Sequence, residues 1–189
     1  MKSQHRHADI CWDSIPAYMA DHRMIVDDII QKLDLQPHPE GGFYRRTYCA
    51  SERIAKADGA QRHASTGIYY LLHAHAYSAW HRIDADEMWH HYAGDPLLIH
   101  MLDQHGEWKV QRLGKMLQQP DAVFQCVVPA GCWFAAEREG SQGYSLVGCT
   151  VAPGFEFSNF ELADTQALLN RYPRHEPVIR RLAPRGNGA

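Results

Sequence analysis

A histidine and a glutamate lie six residues apart in the segment AWHRIDADEMWHHYAGD, residues 79–95. Alternate side chains share a face in extended backbone. The DAD sequence predicts a turn after His81, and beyond it Glu87, Trp89 and His91 fall on one face. His81 and Glu87 are therefore expected to converge on a common interior from the two arms of a hairpin.

This His–Glu pair predicts proton-transfer chemistry. A neighbouring carboxylate raises the pKa of a histidine, whereas burial opposes the imidazolium charge, so such a pair can act as a general base near neutral pH. We expect His81 to be the base and Glu87 to orient it. The alternative is a satisfied internal ion pair with no catalytic role. The surrounding pocket is expected to be apolar and aromatic, with Ile83, Trp89, Trp133 and Phe134.

Metal binding is another chemistry open to this segment. A transition-metal site needs about three protein ligands, such as two imidazoles and a carboxylate. His81 and Glu87 supply two, and His91 could supply a third because it alternates with Glu87. The residues thus leave a divalent metal open, with a weak and incomplete ligand set.

Two further charged residues are candidates for ligand binding. Glu40 stands in the phrase HPEGG, where it is either a turn residue or a second carboxylate swung toward the pocket. Arg45 and Arg46 are consecutive, so in a strand only one of them can face the interior. We assign Arg45 to the pocket, where its guanidinium would bind a carboxylate or phosphate of a ligand.

Composition excludes several classes of protein. The 189 residues are 45% hydrophobic and 22% charged, with a formal net charge of −3, which indicates a globular chain without a nucleic-acid or anionic-membrane surface. No apolar run approaches the roughly 18 residues of a membrane span, and no secretory signal is evident. Five cysteines without a CxxC pair fit reduced thiols, so a cytoplasmic location is expected.

Hydrophobic spacing predicts a β-rich domain with helical ends. Residues 1–22 show no clean period and are expected to form a loose arm before a single domain over residues 23–189. A short helix follows the arm and stops before Pro37 and Pro39. Strand-like runs at intervals of about ten residues then predict an antiparallel sandwich or barrel. A second helix is predicted over residues 162–172.

Five segments in this order resemble the cupin superfamily and, more narrowly, its DUF985 subfamily, which includes yeast and bacterial proteins without an assigned activity. The resemblance covers about residues 24–165. It implies an all-β cupin fold, a double-stranded β-helix or jelly-roll barrel, and a homodimer formed through the outer face of a sheet. The segments are HPEGGFYRRTY, STGIYYLL, SAWHRIDADEMWHHYAGD, VVPAGCWFAA and SLVGCTVAPGFEF.

The resemblance also bears on the metal, because metal-binding cupins use three histidines and one glutamate from two motifs. At the positions of the first motif this chain has His81, Ile83, Glu87 and Gly94. At those of the second it has Pro129, Gly131 and Phe134. Ile83 and Phe134 thus stand where two of the histidines are expected, and the resemblance predicts that the metal site has lapsed and that no cofactor is bound.

This chain also resembles metal-free cupins of the deoxysugar epimerase type in having a histidine beside a carboxylate. Those enzymes use a histidine oriented by a carboxylate as base and a tyrosine as acid. The sequence does not choose among the candidate acids, which are Tyr69, Tyr70, Tyr92 and Tyr144.

We therefore predict a cupin that binds a small polar metabolite, sugar-like or carboxylated, and acts as a metal-independent isomerase, epimerase or lyase through His81 and Glu87. Two alternatives stay open. One is a metal-dependent oxygenase or isomerase using His81, Glu87 and His91, and the other is a non-catalytic ligand-binding or storage-like barrel.

Overall fold

The computed structural model describes residues 17–56, 59–140 and 143–185 of the chain. The helices are α1 (Ala17–Leu33), α2 (Thr165–Arg171) and α3 (Glu176–Arg181). The strands are β1 (Gln36–Pro37), β2 (Phe43–Cys49), β3 (Arg53–Ala55), β4 (Gln61–His63), β5 (Thr66–His73), β6 (Tyr77–Ile83), β7 (Asp86–Gly94), β8 (Leu97–Leu102), β9 (Trp108–Leu113), β10 (Ala122–Val123), β11 (Gln125–Val128), β12 (Trp133–Arg138), β13 (Tyr144–Ala152) and β14 (Phe160–Leu162). Within these residues no helix is long and apolar enough to cross a membrane.

Helix α1 begins earlier than the sequence pattern predicts. The expected loose arm covers residues 1–22, but residues 17–22 are helical, while residues 1–16 lie outside the described part of the chain. Alanine and methionine, which recur in AYMADHRM, favour the helix even where no apolar stripe is present. The helix therefore continues upstream of its amphipathic portion.

Two six-stranded sheets enclose the core. Their strand orders are β1-β2-β5-β13-β7-β11 and β10-β9-β8-β12-β6-β14, and β3 and β4 form a separate hairpin. Neighbouring strands pair antiparallel except for β9 and β10, which pair in parallel. This architecture confirms the predicted all-β fold with antiparallel sheets. The interior is filled by side chains from both sheets, among them Tyr70, Leu72, Trp89, Leu97, Ile99, Phe134 and Val147.

Helices cover one outer face of each sheet. Val26 of α1 packs on Leu71 of β5. Helices α2 and α3 pack on the second sheet around Trp80, whose indole Nε1 donates to the Val178 carbonyl at 3.2 Å and whose backbone N–H donates to the Leu182 carbonyl at 3.0 Å. The predicted helix over residues 162–172 is shorter than expected. It starts at Thr165, where the Asp164 side chain caps it by accepting from the Ala167 N–H at 2.7 Å.

The HPEGG turn, residues 38–42, lies flat against β6. It closes through a hydrogen bond from the Gly41 N–H to the His38 carbonyl at 3.0 Å, and its Glu40 carbonyl accepts from the Ala79 N–H at 3.1 Å. Gly41 has φ +115°, and a Cβ there would lie 2.3 Å from the Tyr77 carbonyl oxygen. Only glycine fits so close to the neighbouring backbone.

We predict that Gly41→Ala destabilises the protein more than Gly131→Ala. Both glycines have positive φ, so alanine at either position adds backbone strain of order 1–3 kcal/mol, but a Cβ at Gly131 meets nothing within 4 Å. The steric clash is therefore confined to Gly41. Urea unfolding of the two variants measures the difference, and equal losses would show that the turn does not need its close approach to β6.

Candidate active site

A small cavity inside the barrel is lined by several titratable side chains, among them Glu40, His81 and Glu87. Its volume is about 40 Å³, which is room for a few waters or the head of a small metabolite, at about 10–15 Å³ for each water. Strands β2, β5, β6, β7 and β13 form its wall, together with the HPEGG turn and the segment after β13. The lining residues are His38, Glu40, Tyr44, Arg46, Thr66, Ile68, Tyr70, His81, Ile83, Glu87, Cys149, Val151, Phe155, Phe157 and Phe160.

His81 is paired with Glu40 at the edge of this cavity. Its Nε2 lies 3.1 Å from Oε2 of Glu40, and its Nδ1 lies 2.7 Å from the Ala79 carbonyl oxygen. A carbonyl only accepts hydrogen bonds, so Nδ1 carries the proton. A neutral imidazole then presents the lone pair of Nε2 to Glu40, and a contact of 3.1 Å is favourable only with a proton between the two atoms.

Burial places that proton on the carboxyl group. Burial lowers the pKa of His81 to about 4, with the Ala79 hydrogen bond opposing. Burial raises the pKa of Glu40, against the attraction of His38 and the hydrogen bond from Ser78. Both shifts favour uncharged partners, so the neutral carboxyl of Glu40 donates to Nε2 of a neutral His81.

Glu87 lines the same cavity but does not orient His81. Within the described residues no hydrogen bond or ion pair joins the two side chains, so the predicted pairing is wrong, although the predicted convergence on one interior is confirmed. The reason is that the chain changes sheets between β6 and β7. Glu40, from the HPEGG turn, contacts His81 instead. Its position agrees with the second of the two predictions for that residue, a carboxylate swung toward the pocket.

The carboxyl of Glu87 is a proton donor at neutral pH. Burial, with a smaller contribution from repulsion by Glu40, raises its pKa to about 8, and the hydrogen bond with the Cys149 thiol opposes the shift. Burial also raises the pKa of the Cys149 thiol well above its usual range, so this cysteine is not a thiolate nucleophile. The cavity therefore holds two neutral carboxyl groups and a neutral imidazole.

Polar neighbours hold Glu40 in place. Ser78 Oγ donates to Glu40 Oε1 at 2.9 Å, and His38 Nδ1 lies 3.7 Å from the same oxygen. Burial lowers the pKa of His38, with Glu40 opposing, which keeps this second imidazole neutral. The hydroxyl of Tyr70 donates to the Gly41 carbonyl at 2.7 Å, and burial raises its pKa well above the usual range.

Of the four candidate tyrosine acids, Tyr70 lies at the cavity and the others do not. Tyr69 and Tyr92 contact each other edge to face, with ring centroids 6.0 Å apart, and Tyr144 packs in the cluster beneath α1. Tyr70 uses its proton in the hydrogen bond to Gly41. Glu87 is consequently a better proton donor than any of them.

The predicted apolar residues divide between the two faces of their strands. Ile83 lines the cavity, and the Phe134 ring packs on His81 with centroids 3.9 Å apart. Trp89 is buried in the interior next to the cavity without lining it, in an edge-to-face contact with Tyr70. Trp133 is adjacent to Phe134 in β12 and so faces the other way, into the cluster under α2 and α3. The assignment of Trp133 to the pocket is wrong.

The assignment of the two arginines is reversed. Arg45 faces α1, where its guanidinium donates to the Leu33 carbonyl at 3.0 Å. Arg46 lines the cavity together with Tyr44, which shares its face of β2. The alternation of the strand was correct, but the sequence does not say which face α1 covers.

The residues do not fit the metal site of cupins. His91 points its Nε2 to the Asp95 carbonyl at 3.3 Å and is not part of the cavity wall. Ile83 and Phe134 bring no donor atoms. Within residues 17–56, 59–140 and 143–185, no group of three or more His, Cys, Asp and Glu side chains is arranged to hold a metal ion. No chemical step is therefore assigned to a metal.

Comparison with known proteins identifies the family. The model of a family described as "Cupin superfamily (DUF985)" matches residues 27–163. The chain belongs to this cupin family. A protein of known structure from Shewanella oneidensis is 41% identical with a TM-score of 0.76, over 83% of this chain and 96% of that one. A hypothetical protein from Leishmania major is 33% identical with a TM-score of 0.77, over 84% of this chain and 98% of that one. No curated protein matches the sequence.

Several residues of this cupin's site were not predicted. His38 and Ser78 were missed because their roles depend on how the HPEGG turn folds onto β6. The two glycines after Glu40 indicate a tight turn, but they do not show what the turn contacts. The aromatic side of the cavity comes from the segment after β13, whose sequence APGFEFSNF is rich in phenylalanine. Phe157 stacks on His38 with centroids 6.2 Å apart, and Phe160 lies 5.2 Å from the His81 ring.

Glu87→Gln tests the protonation of the buried carboxyl. Between the unfolded pKa of 4.5 and the native pKa of about 8, the unfolded chain is ionised at this position and the native protein is not. The unfolded state then binds fewer protons, so the wild type loses stability as pH rises, by about 1.4 kcal/mol per unit for one group. Glutamine does not titrate, so the variant escapes this loss.

Denaturant unfolding of wild type and variant from pH 5 to pH 8 measures the effect, with Glu52→Gln on the surface as the matched control. The stability of Glu87→Gln relative to wild type is expected to increase with pH. Parallel stability curves for the two proteins would mean that Glu87 ionises in the native cavity as it does in water.

Proposed function

We propose that this cupin binds a small polar metabolite in its cavity and transfers protons on it without a metal, as an isomerase, epimerase or lyase. The observation that supports this most is the contact of 3.1 Å between Nε2 of His81 and Oε2 of Glu40, together with the Nδ1 hydrogen bond that fixes the tautomer. The pair holds one proton and can take up a second. Glu87, on the same cavity, holds a proton to give.

A substrate with a C–H next to a carbonyl suits this arrangement. The Glu40–His81 pair accepts the carbon-bound proton and becomes an imidazolium with a neutral carboxylic acid. The C–H electron pair moves into the carbon skeleton, and the carbonyl oxygen takes the proton of Glu87. Return of a proton to a different atom gives an isomer, return to the other face of the same carbon gives an epimer, and loss of a β-substituent makes the reaction a lyase.

Charge balance favours this sequence of events. Before the reaction all three groups are neutral, which suits a buried site. After proton transfer His81 is positive and Glu87 is negative, so the two new charges compensate each other within one small cavity. Opposite charges attract strongly where water is scarce. Phe155, Phe157 and Phe160 supply an apolar side that limits water.

Solvent deuterium exchange tests the proposal on many candidate substrates at once. The protein is incubated in D₂O with a panel of 2-oxo acids, hydroxyaldehydes and ketoses of three to six carbons. We expect one or more compounds to acquire deuterium next to the carbonyl, detected by NMR and mass spectrometry. His81→Ala and Glu40→Gln are each expected to slow the exchange by roughly 10²–10⁴-fold, the usual contribution of a general base.

Controls separate this proposal from its rivals. Arg45→Ala, outside the cavity, should exchange at the wild-type rate, and His81→Ala should lose at most about 3 kcal/mol of stability. Exchange that a chelator abolishes and a divalent metal restores would favour the metal-dependent alternative. Ligands that bind without exchange would favour a non-catalytic barrel, and unchanged exchange in His81→Ala would remove this residue from the mechanism.

We also propose that the protein is a homodimer. The outer face of β7 and β11, beyond the part that α1 covers, exposes apolar side chains. Tyr92 is 53% exposed and Val127 is 45% exposed, and Val127 lies opposite Met88 in the sheet. Clustered apolar residues on an uncovered sheet face support association with a second copy.

Val127→Glu is expected to convert the dimer to a monomer, because a charge would be buried without a partner in the interface. Light scattering after size-exclusion chromatography measures the mass. Val110→Glu is the matched control, since Val110 is also 45% exposed but lies on β9 in the other sheet. A monomeric wild type, or loss of the dimer in the control instead, would contradict this assignment of the interface.

A further inference from the structure

Arg46 stands beside the cavity with a guanidinium that no protein group occupies. It lines the cavity from β2 and is exposed. Within the described part of the chain its side chain donates no hydrogen bond and forms no ion pair. By contrast, Arg62 and Arg138 each pair with an aspartate, and Arg45 donates to the Leu33 carbonyl. A guanidinium with five free donors is prepared for an acceptor from outside.

The strand is irregular immediately after Arg46. Arg46 lies opposite Ile68 in β5, and the next paired residue, Tyr48, lies opposite Gly67. One extra residue in β2 therefore forms a bulge immediately after Arg46. Bulges bend a strand and re-aim side chains, and they are frequent next to functional sites.

The charge of Arg46 is not matched inside the cavity. Among the described residues that line it, Arg46 is the one with a permanent positive charge. Within the described residues neither lining carboxyl group, Glu40 or Glu87, forms an ion pair with the guanidinium, and burial raises the pKa of both, which disfavours their anionic forms. An anionic group on a ligand would supply the matching negative charge.

We infer that Arg46 binds the carboxylate of the substrate and that the substrate is a small 2-oxo acid. The inference rests on the proposed proton transfer and adds the class of compound. One guanidinium matches one carboxylate in a two-pronged hydrogen bond. A phosphate dianion usually finds several backbone N–H groups or a helix N-terminus, whereas this cavity is walled by strands and adds a single cation. The volume of about 40 Å³ admits the reacting end of a small molecule, while the exposed guanidinium leaves room for the carboxylate outside.

In this arrangement Arg46 selects and positions the substrate, while Glu40, His81 and Glu87 move its protons. The carboxylate stays at the exposed guanidinium, and the adjacent carbonyl carbon extends inward to the buried groups. Arg46 is therefore a specificity-determining residue. Its loss should weaken binding of acids and leave the proton chemistry of a bound molecule intact.

Calorimetry with matched probes tests the inference: pyruvate against pyruvamide, 2-oxobutanoate against 2-oxobutanamide, and lactate against lactamide. Wild type should bind at least one acid more tightly than its amide, by about 10- to 100-fold, as expected for one charged hydrogen-bonded pair. Arg46→Ala should remove that preference by weakening the acid alone, and Arg46→Lys should keep only part of it. Arg45→Ala, on the opposite face of the same strand, is the control and should bind as wild type.

Inorganic phosphate is a further probe, and binding of phosphate in preference to every acid would overturn the carboxylate assignment. Equal affinity for acids and amides, or an unchanged preference in Arg46→Ala, would overturn the role of Arg46. Deuterium exchange at sub-saturating acid separates this inference from the proposed function. Exchange of the acids that is as fast in Arg46→Ala as in wild type leaves the proton transfer standing and refutes the inference, whereas Arg46-dependent binding without exchange does the reverse.

Discussion

The hydrogen bond of 2.7 Å between Nδ1 of His81 and the Ala79 carbonyl determines what the candidate site can do. It commits the one proton of a neutral imidazole to the backbone two residues earlier, so the other nitrogen faces Glu40 as an acceptor. A ring turned the other way would bring a proton to Glu40 and leave no base. This local contact therefore decides that Nε2 of His81 is the acceptor in the cavity that the carboxyl groups of Glu40 and Glu87 also line.

The contact in turn depends on a strand that is fixed on both sides. Along β6, Trp80 points outward and anchors α3 through its indole, whereas His81 points inward. The backbone N–H of Ala79, the residue before Trp80, donates to the Glu40 carbonyl in the HPEGG turn. The C-terminal helices and the turn therefore hold opposite faces of the same short segment, and the position of His81 results from packing far from the cavity.

The fold and half of the site were predictable from the sequence. Alternation and turn residues are local properties, so the strands, the inward direction of His81 and Glu87 and the family resemblance could be read directly. The partner of His81 could not, because it depends on the chain changing sheets between β6 and β7. Arg45 was preferred over Arg46 for a similar reason: alternation separates the two residues, but only the docking of α1 decides which face is covered. Trp133 was assigned to the pocket for a similar reason. It is aromatic like its neighbour Phe134, and the sequence does not show which of the two residues faces the cavity.

The change of sheet between β6 and β7 has a consequence for the shape of a bound molecule. His81 and Glu87 stand on strands of different sheets, so a molecule lying between them meets the proposed acceptor on one side and the proposed donor on the other. In the proposed reaction the acceptor serves a carbon atom and the donor serves the neighbouring oxygen, so a compound that fits would have to present both atoms across the cavity at once. The crossover that closes the barrel would thereby favour compounds whose two reacting atoms point to different sheets.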